Sequence, residues 1–580
     1  MRTYTVSAIF AMIFVASSVV AVPTSSSTSF SSLTTSTDGS PIVNLGTYGK
    51  YKGTVQNNGT VYAWKAIPYA APPVDDLRFK APRALAKQNS TVQDVSADFD
   101  GHPTACVQFG TTRFTGVNAG PGQEDCLKLW IWAPAGAKKG DKLPVQVFSH
   151  GGGMQSSQSP NNDFGDWVGQ DKGFIAVNAN YRLGALGFYN SAGALDENET
   201  ANVGLLDIRL AVDWVKENIA KFGGDPHNIA ISGQSGGAGA TMSQLILYDG
   251  KKPNFQKAIP RSIKMNPVYS LNALTTRNDA FAASLNCTDS ASTKEGAAKQ
   301  LACMRKVPAE AIRLAALDLD DTTQEDGSAW PGWLPSIDGK TLTDQPSRLY
   351  REGKVAKVSV IVSHVTNEII RLEPHPIAFP ALVDRIFGSA ATPELESELN
   401  RIYPAPIVNA SSDTNTYKDE DERGHAFLND VWANGGAFMV SQAYAKQGHP
   451  SWMVRFNSPE PVPTYPDWWG ASHSADNYYL QNATASMNAT QAALAHEWRA
   501  YLSSFLKHDN PNKARLPSSP EWHTATTDFR YLPRLVVSQQ LSATANESLS
   551  TTSGMEIVPV NEWDRLKWWL SEDVVSLNRQ

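Results

Sequence analysis

Residues 228–237 read Asn-Ile-Ala-Ile-Ser-Gly-Gln-Ser-Gly-Gly. Asn228–Ser232 is a short apolar run stopped by glycine, which fits a buried strand, and a helical pattern follows over Gly239–Tyr248. Between them stands Gly233-Gln234-Ser235-Gly236-Gly237, a Gly-x-Ser-x-Gly sequence at a strand-to-helix junction. A turn this sharp has room only for small residues on both sides of the serine. It lifts the Ser235 hydroxyl above the end of the strand, at a helix amino terminus. A glycine-rich turn can be purely structural, but the strand before it and the helix after it point to Ser235 as a nucleophile.

A serine nucleophile needs donors for the oxyanion it creates. Upstream, the apolar run Val145–Ser149 ends in His150-Gly151-Gly152-Gly153. Successive glycines let backbone N–H groups turn inward, so Gly152, Gly153 and Gly236 are the expected oxyanion donors. His150 is expected to support this loop rather than act as a base. Further strands are expected at Leu129–Trp132, Phe174–Asn178, Val358–Ser363 and Trp452–Phe456. Helices are expected at Leu205–Asn218, Arg348–Glu352, Asp430–Lys446 and Gln491–Leu506. Near-continuous apolar strands alternating with helices imply an α/β protein with a central, mostly parallel sheet flanked by helices. Such sheets carry their reactive groups on loops beyond the carboxyl ends of the strands.

The chain has 580 residues, 41% hydrophobic and 18% charged, with a formal net charge of −7. That mixture supports a large core, and without a basic tract it speaks against a nucleic-acid partner. Arg2 precedes an apolar stretch, Val6–Val20, too short to span a bilayer. With Ala21 it reads as a signal peptide over 1–21, so secretion to the extracellular space without an integral membrane span is expected. Residues 22–40 are rich in Ser and Thr and read as a disordered leader, leaving 41–580 as one catalytic domain. The four cysteines are Cys106, Cys126, Cys287 and Cys303. Three connectivities are open, and local pairing is the simplest. Their spacings match no zinc motif, and nothing suggests a cofactor or a metal. Sequons at Asn58, Asn89, Asn198, Asn286, Asn409, Asn482, Asn488 and Asn546 suit a glycosylated secreted protein. That at Asn286 is the weakest, because Cys287 is its middle residue.

Several stretches together resemble the type-B carboxylesterase family, which includes cholinesterases and fungal lipases. They are Ala66-Ile67-Pro68-Tyr69-Ala70-Ala71-Pro72-Pro73, Leu77-Arg78-Phe79, Glu124-Asp125-Cys126-Leu127 and Tyr181-Arg182-Leu183-Gly184. Asn202-Val203-Gly204-Leu205-Leu206-Asp207 and Phe222-Gly223-Gly224-Asp225-Pro226 complete the set. The resemblance implies an α/β-hydrolase fold, a Ser–Glu–His triad and no cofactor. It also implies disulfides Cys106–Cys126 and Cys287–Cys303, and ion pairs Arg78–Glu124 and Arg182–Asp207.

In this fold the acid follows the serine and the histidine follows the acid. Glu368 lies just past the strand Val358–Ser363 and falls on the family's acid, although Ile369 stands where the family has glycine; Glu373 and Asp384 are the alternatives. Seven of the 11 histidines follow Glu368. His473, in Gly470-Ala471-Ser472-His473-Ser474-Ala475-Asp476, is flanked by small residues that let a loop project an imidazole, and it resembles the family's histidine loop. His508 and His523 sit among polar residues and are expected at the surface. The expected function is ester hydrolysis through an acyl-enzyme on Ser235, with His473 as base and Glu368 orienting it. The substrate is a small or lipid-like ester. A lipase acting on long acyl chains and a binding or adhesion module of the same fold are the alternatives. The short loop between Cys106 and Cys126 carries Phe109, Arg113 and Phe114 but no tryptophan, which favours an esterase over a lidded lipase or a choline esterase. Trp330, Trp333, Trp468 and Trp469 are candidate gorge or rim residues. Gln234 replaces the family's glutamate before the nucleophile and so removes a negative charge near His473. Oligomeric state is not legible.

Overall fold

In the computed structural model, residues 33–88, 91–95, 104–109, 121–157, 159–192, 195, 200–263, 268–320, 332–407, 417–461, 466–481, 486–528, 531–539, 553–571 and 574 are described. The signal peptide expected over 1–21 lies outside them. So do Arg113, Phe114, Trp330 and the sequons at Asn89, Asn198, Asn409, Asn482 and Asn546. Ser32–Gln580 forms one compact unit.

Among the described residues the main sheet has eleven strands. In chain order they are β1 (Thr54–Gln56), β2 (Val61–Pro68), β3 (Lys128–Pro134), β4 (Leu143–Ser149), β5 (Ile175–Ala179) and β6 (Gly224–Gln234). Then come β7 (Lys257–Arg261), β8 (Ser359–Val365), β9 (Ser451–Asn457), β10 (Pro533–Ser538) and β11 (Gly554–Ile557). Their spatial order is β11-β10-β9-β8-β7-β6-β4-β5-β3-β2-β1. From β5 through β4, β6, β7, β8 and β9 to β10 every neighbouring pair is parallel. Antiparallel strands close both sides: β11 on one, and β3, β2 and β1 on the other. The mostly parallel sheet read from the sequence is therefore present.

The sheet is buried on both faces. Ile229 and Ile231 of β6, with Val360 and Val362 of β8, point into one core with Leu205, Leu245 and Val440. Ala230, Ile361 and Val454 point the other way, onto Trp167, Trp498 and Phe505. This period of two explains the unbroken apolar runs, since neither face meets water. Helices Val203–Asn218, Gly236–Ile246 and Gly435–Lys446 cover the first face, and Ala489–His508 covers the second. The last begins with a capping box in which Asn488 and Gln491 satisfy each other's backbone N–H groups. Fully burying a side chain such as Phe505 contributes roughly 1.5–3 kcal/mol.

A third apolar cluster forms around Phe379, Leu382, Phe427 and Trp569. Its polar centre is Asp430, which opens a π-helical turn, Asp430–Asn434, directly after the helix Glu420–Asn429. The Asp430 carboxylate accepts from the Tyr403 hydroxyl at 2.9 Å, from Asn434 Nδ2 at 3.0 Å and from Arg565 Nε at 2.6 Å. Arg565 belongs to the helix Val560–Trp569.

Part of the stretch expected as a disordered leader is ordered. Leu33–Thr35 pairs antiparallel with Pro41–Asn44. Leu33 and two β-branched threonines suit a strand, and Gly39, at φ 82°, closes the turn between them.

Both disulfides are formed, Cys106–Cys126 and Cys287–Cys303. Arg78 joins their neighbourhoods. Its Nε and Nη2 donate to the two Glu124 oxygens at 2.6 Å each, while Nη1 donates to the carbonyls of Met304 and Val307 at 2.9 and 2.6 Å. Arg182 pairs with Asp207 through two bonds of 2.8 and 2.7 Å, with the Asp207 side chain fully buried. No helix of the described residues is long and apolar enough to cross a membrane.

Candidate active site

Ser235 lies between β6 and the helix Gly236–Ile246, at φ 58° and ψ −123°. A positive φ in a residue with a side chain is strained, and the surroundings must hold it. Two contacts do so. The Ser235 N–H donates to the Arg261 carbonyl of β7 at 3.0 Å, and the Gly239 N–H donates to the Ser235 carbonyl at 3.0 Å. The flanking glycines have no alternative. A Cβ on Gly233 would stand 2.1 Å from the Gly237 carbonyl oxygen, and one on Gly237 would stand 2.0 Å from that of Ser149.

The glycine loop after β4 lies directly against this elbow. A Cβ on Gly236 would meet the backbone nitrogens of Gly153 and Met154 at 2.8 and 2.7 Å. Gly152 and Gly153 have φ of 89° and 64°, so the chain reverses there. Among the described residues no acceptor takes the N–H groups of Gly152, Gly153 or Gly236. His150 is buried beneath the loop. Its ring stacks on Tyr181 at 4.6 Å, its Nδ1 donates to the Gly151 carbonyl at 3.0 Å, and the Tyr181 hydroxyl donates to the His150 carbonyl at 2.9 Å. Burial pushes the imidazole down to about 4, so it is neutral at ordinary pH. It braces the loop, as expected.

Glu368 follows β8 and is 1% exposed. The Val365 N–H donates to its Oε1 at 2.8 Å, and its Oε2 lies 2.5 Å from His473 Nδ1. With Nδ1 donating to the carboxylate, Nε2 of His473 carries the lone pair. The acid and histidine loops are stitched together beside this bond. Asn367 N–H donates to the Ala471 carbonyl at 2.9 Å, and Asn367 Nδ2 donates to that of Trp469 at 2.8 Å. Ile369, standing where the resemblance led to glycine, donates its N–H to Asn429 Oδ1 at 2.8 Å and buries its side chain in the third cluster. The alternative acids fall elsewhere: Glu373 pairs with Arg385, and Asp384 is exposed. His508 and His523 are exposed.

Gln234 Nε2 approaches His473 Nε2 at 3.3 Å, donating to the same lone pair that a nucleophilic serine would use. Behind the histidine, Ser472 Oγ is 3.5 Å from Glu460 Oε1. Burial pushes that carboxyl up, against the pull of Arg371. Ser235 and His473 are both buried, at 8% and 9% exposure.

Residues 39–550 match the carboxylesterase family. The chain belongs to that family. A secreted triacylglycerol lipase of Gibberella zeae is 27% identical over 503 residues, spanning 81% of this chain and 83% of that protein. The para-nitrobenzyl esterase of Bacillus subtilis is 28% identical over 495 residues, spanning 83% and 92%. The crystal structure of Aspergillus niger EstA superposes with a TM-score of 0.77 at 26% identity, covering 94% of this chain and all of that one. The α/β-hydrolase fold and a carboxylic ester hydrolase activity follow for this member of the family.

Some neighbours of the site had no sequence signal. Asn429 enters from a helix 60 residues beyond Ile369. Tyr181 stood inside a quoted family stretch, and Asp476 stood inside the histidine loop, but neither pattern revealed its partner. Of the candidate aromatic residues, Trp333 is fully buried and packs on Phe281 and Arg277, whereas Trp468 is 56% exposed and stacks on His375.

Proposed function

We propose that this carboxylesterase cleaves its ester through an acyl-enzyme on Ser235, with His473 as general base and Glu368 as its orienting acid. The observation that carries the reading is the convergence of three separate features. They are a serine held at a positive-φ elbow, a buried Glu368–His473 pair that presents Nε2 as the acceptor, and a glycine loop with unspent N–H groups against the elbow. His473 removes the Ser235 proton as Oγ attacks the carbonyl carbon. Gly152, Gly153 and Gly236 N–H groups hold the oxyanion, and the imidazolium returns its proton to the leaving alcohol. Water, activated by the same imidazole, then releases the acid. Each lost oxyanion donor lowers the rate by roughly 10²–10³.

Extracellular action is supported by relatives named as secreted and by the two disulfides, which persist in oxidising compartments. The apolar start at Val6–Val20 serves as the signal peptide in this reading, and Asn58 and Asn488, both exposed, are acceptors for glycan. Asn58 lies in the turn before β2. Asn488 caps its helix through Oδ1, which leaves Nδ2 for the sugar.

Hydrolysis of p-nitrophenyl acetate, butyrate, octanoate and palmitate, alongside Ser235→Ala, tests the reading. Turnover should fall at least about 10⁴-fold in the variant. A Ser235→Ala enzyme with native turnover would overturn the assignment. We take short acyl chains as the preferred substrates, since the loop between Cys106 and Cys126 is short. Long-chain triacylglycerol hydrolysis is the second reading, favoured by the lipase relative, and preference for palmitate would establish it.

A further inference from the structure

We propose that Arg261 is a positioning residue that sets the distance between His473 and Ser235; this rests on the reading of those two residues given above. Arg261 is the last residue of β7, in register with Gln234. Its backbone carbonyl holds the Ser235 N–H. Its side chain leaves in another direction. Nη1 pairs with Asp476 Oδ2 at 2.5 Å, and the guanidinium lies over the Phe148 ring, 5.7 Å from its centre. Both charged side chains are sealed from solvent, at 2% and 0% exposure. Asp476 is the second residue of the four-residue helix Ala475–Tyr478, three positions after His473.

One residue therefore grips the nucleophile with its main chain and the histidine loop with its side chain. The geometry of the loop gives that grip a purpose. Its first half is tied to the acid side, through Asn367 to Trp469 and Ala471. Those bonds fix His473 relative to Glu368 but not relative to Ser235. Its second half is tied to the nucleophile side through Asp476 and Arg261. His473 lies between the two anchors, and Ser474, at φ 77°, turns the chain from one to the other. Without the second anchor the Glu368–His473 pair survives, but only the 3.3 Å contact from Gln234 Nε2 is left to hold its approach to Ser235 Oγ. Phe148, beneath the guanidinium, precedes the glycine loop by one residue of β4, so the same cation also packs against the strand that carries the oxyanion donors.

A pair that only stabilises the fold would behave differently from one that positions the histidine, and replacing both partners by apolar residues separates the two. Arg261→Met alone leaves Asp476 buried and unpaired, so it lowers the melting temperature. Arg261→Met combined with Asp476→Leu leaves no orphan charge and restores it. We expect the double variant to keep a kcat about 10²-fold below the native value, with KM within about twofold, because substrate binding does not use the pair. Arg261→Gln, neutral but able to donate one hydrogen bond, serves if the double variant does not fold. Native kcat in any folded variant lacking the guanidinium overturns the proposal. Labelling of the native enzyme at Ser235 by a fluorophosphonate keeps the two readings apart. Absence of that label refutes the nucleophile assignment, whereas its presence with native kcat in the double variant refutes only the role of Arg261.

Discussion

At Gln234 a neutral amide stands where the resemblance to the family led to glutamate. A neutral amide faces His473 Nε2 at 3.3 Å, where a carboxylate would place a negative charge beside the imidazolium that forms during catalysis. Restoring the charge with Gln234→Glu stabilises the protonated ring, so the acid limb of the pH–rate profile for kcat/KM should move to higher pH. A profile that stays in place would show that the amide and the carboxylate are equivalent there. Glu368→Gln has a different signature. The amide can no longer accept Nδ1–H while stabilising a positive ring, and kcat should fall roughly 10³–10⁴-fold with KM little changed. The isosteric side chain still fits beneath the Val365 N–H, so thermal unfolding serves as the control.

At the level of elements, the ion pair between Arg182 and Asp207 ties the chain after β5 to the helix Val203–Asn218. Arg182→Met leaves a fully buried aspartate without its cation, and chemical denaturation should register a loss of about 3–5 kcal/mol. Elements of this kind differed in how plainly the sequence announced them. β4, β5, β6, β8 and β9 were all legible, because a strand covered on both faces writes an unbroken apolar run. β7 was not. Its sequence, Lys-Ala-Ile-Pro-Arg, carries charges at both ends and a proline, a pattern that argues against a central strand. The charges are resolved only in three dimensions: Lys257 reaches Asn228 and the Leu506 carbonyl, and Arg261 reaches Asp476. β2 and β11 were equally silent, being edge-side strands with mixed burial. The three residues proposed for the site were legible because small neighbours surround Ser235 and His473, and a strand end precedes Glu368. Their supports, Asn429 and Arg261, come from distant segments with no local pattern to read.

Across the whole molecule, two buried neutral histidines make stability depend on pH. Burial pushes His150 down to about 4, and burial with the neighbouring Arg534 pushes His364 down to about 3. In the unfolded chain both titrate near 6.5, so below that pH the unfolded state binds more protons than the folded one. Their contribution is complete above about pH 6.5 and is lost as pH falls toward 4 and 3, at up to about 1.4 kcal/mol per histidine per pH unit. His364→Gln should flatten the fall of the melting temperature between about pH 6.5 and 4, and an unchanged slope would contradict the assignment. The anchoring of Asp430 by Arg565 has a temporal consequence. During synthesis, Ser235, Glu368 and His473 all leave the ribosome before the helix Val560–Trp569 does. Until that helix docks, the carboxylate at the head of the π-turn has no cation, and Asn429, which holds Ile369 next to the acid, rests on an unfinished support. A nascent or truncated chain that stops before Val560 therefore already contains Ser235, Glu368 and His473 but lacks Arg565, the cation that anchors Asp430 beside them.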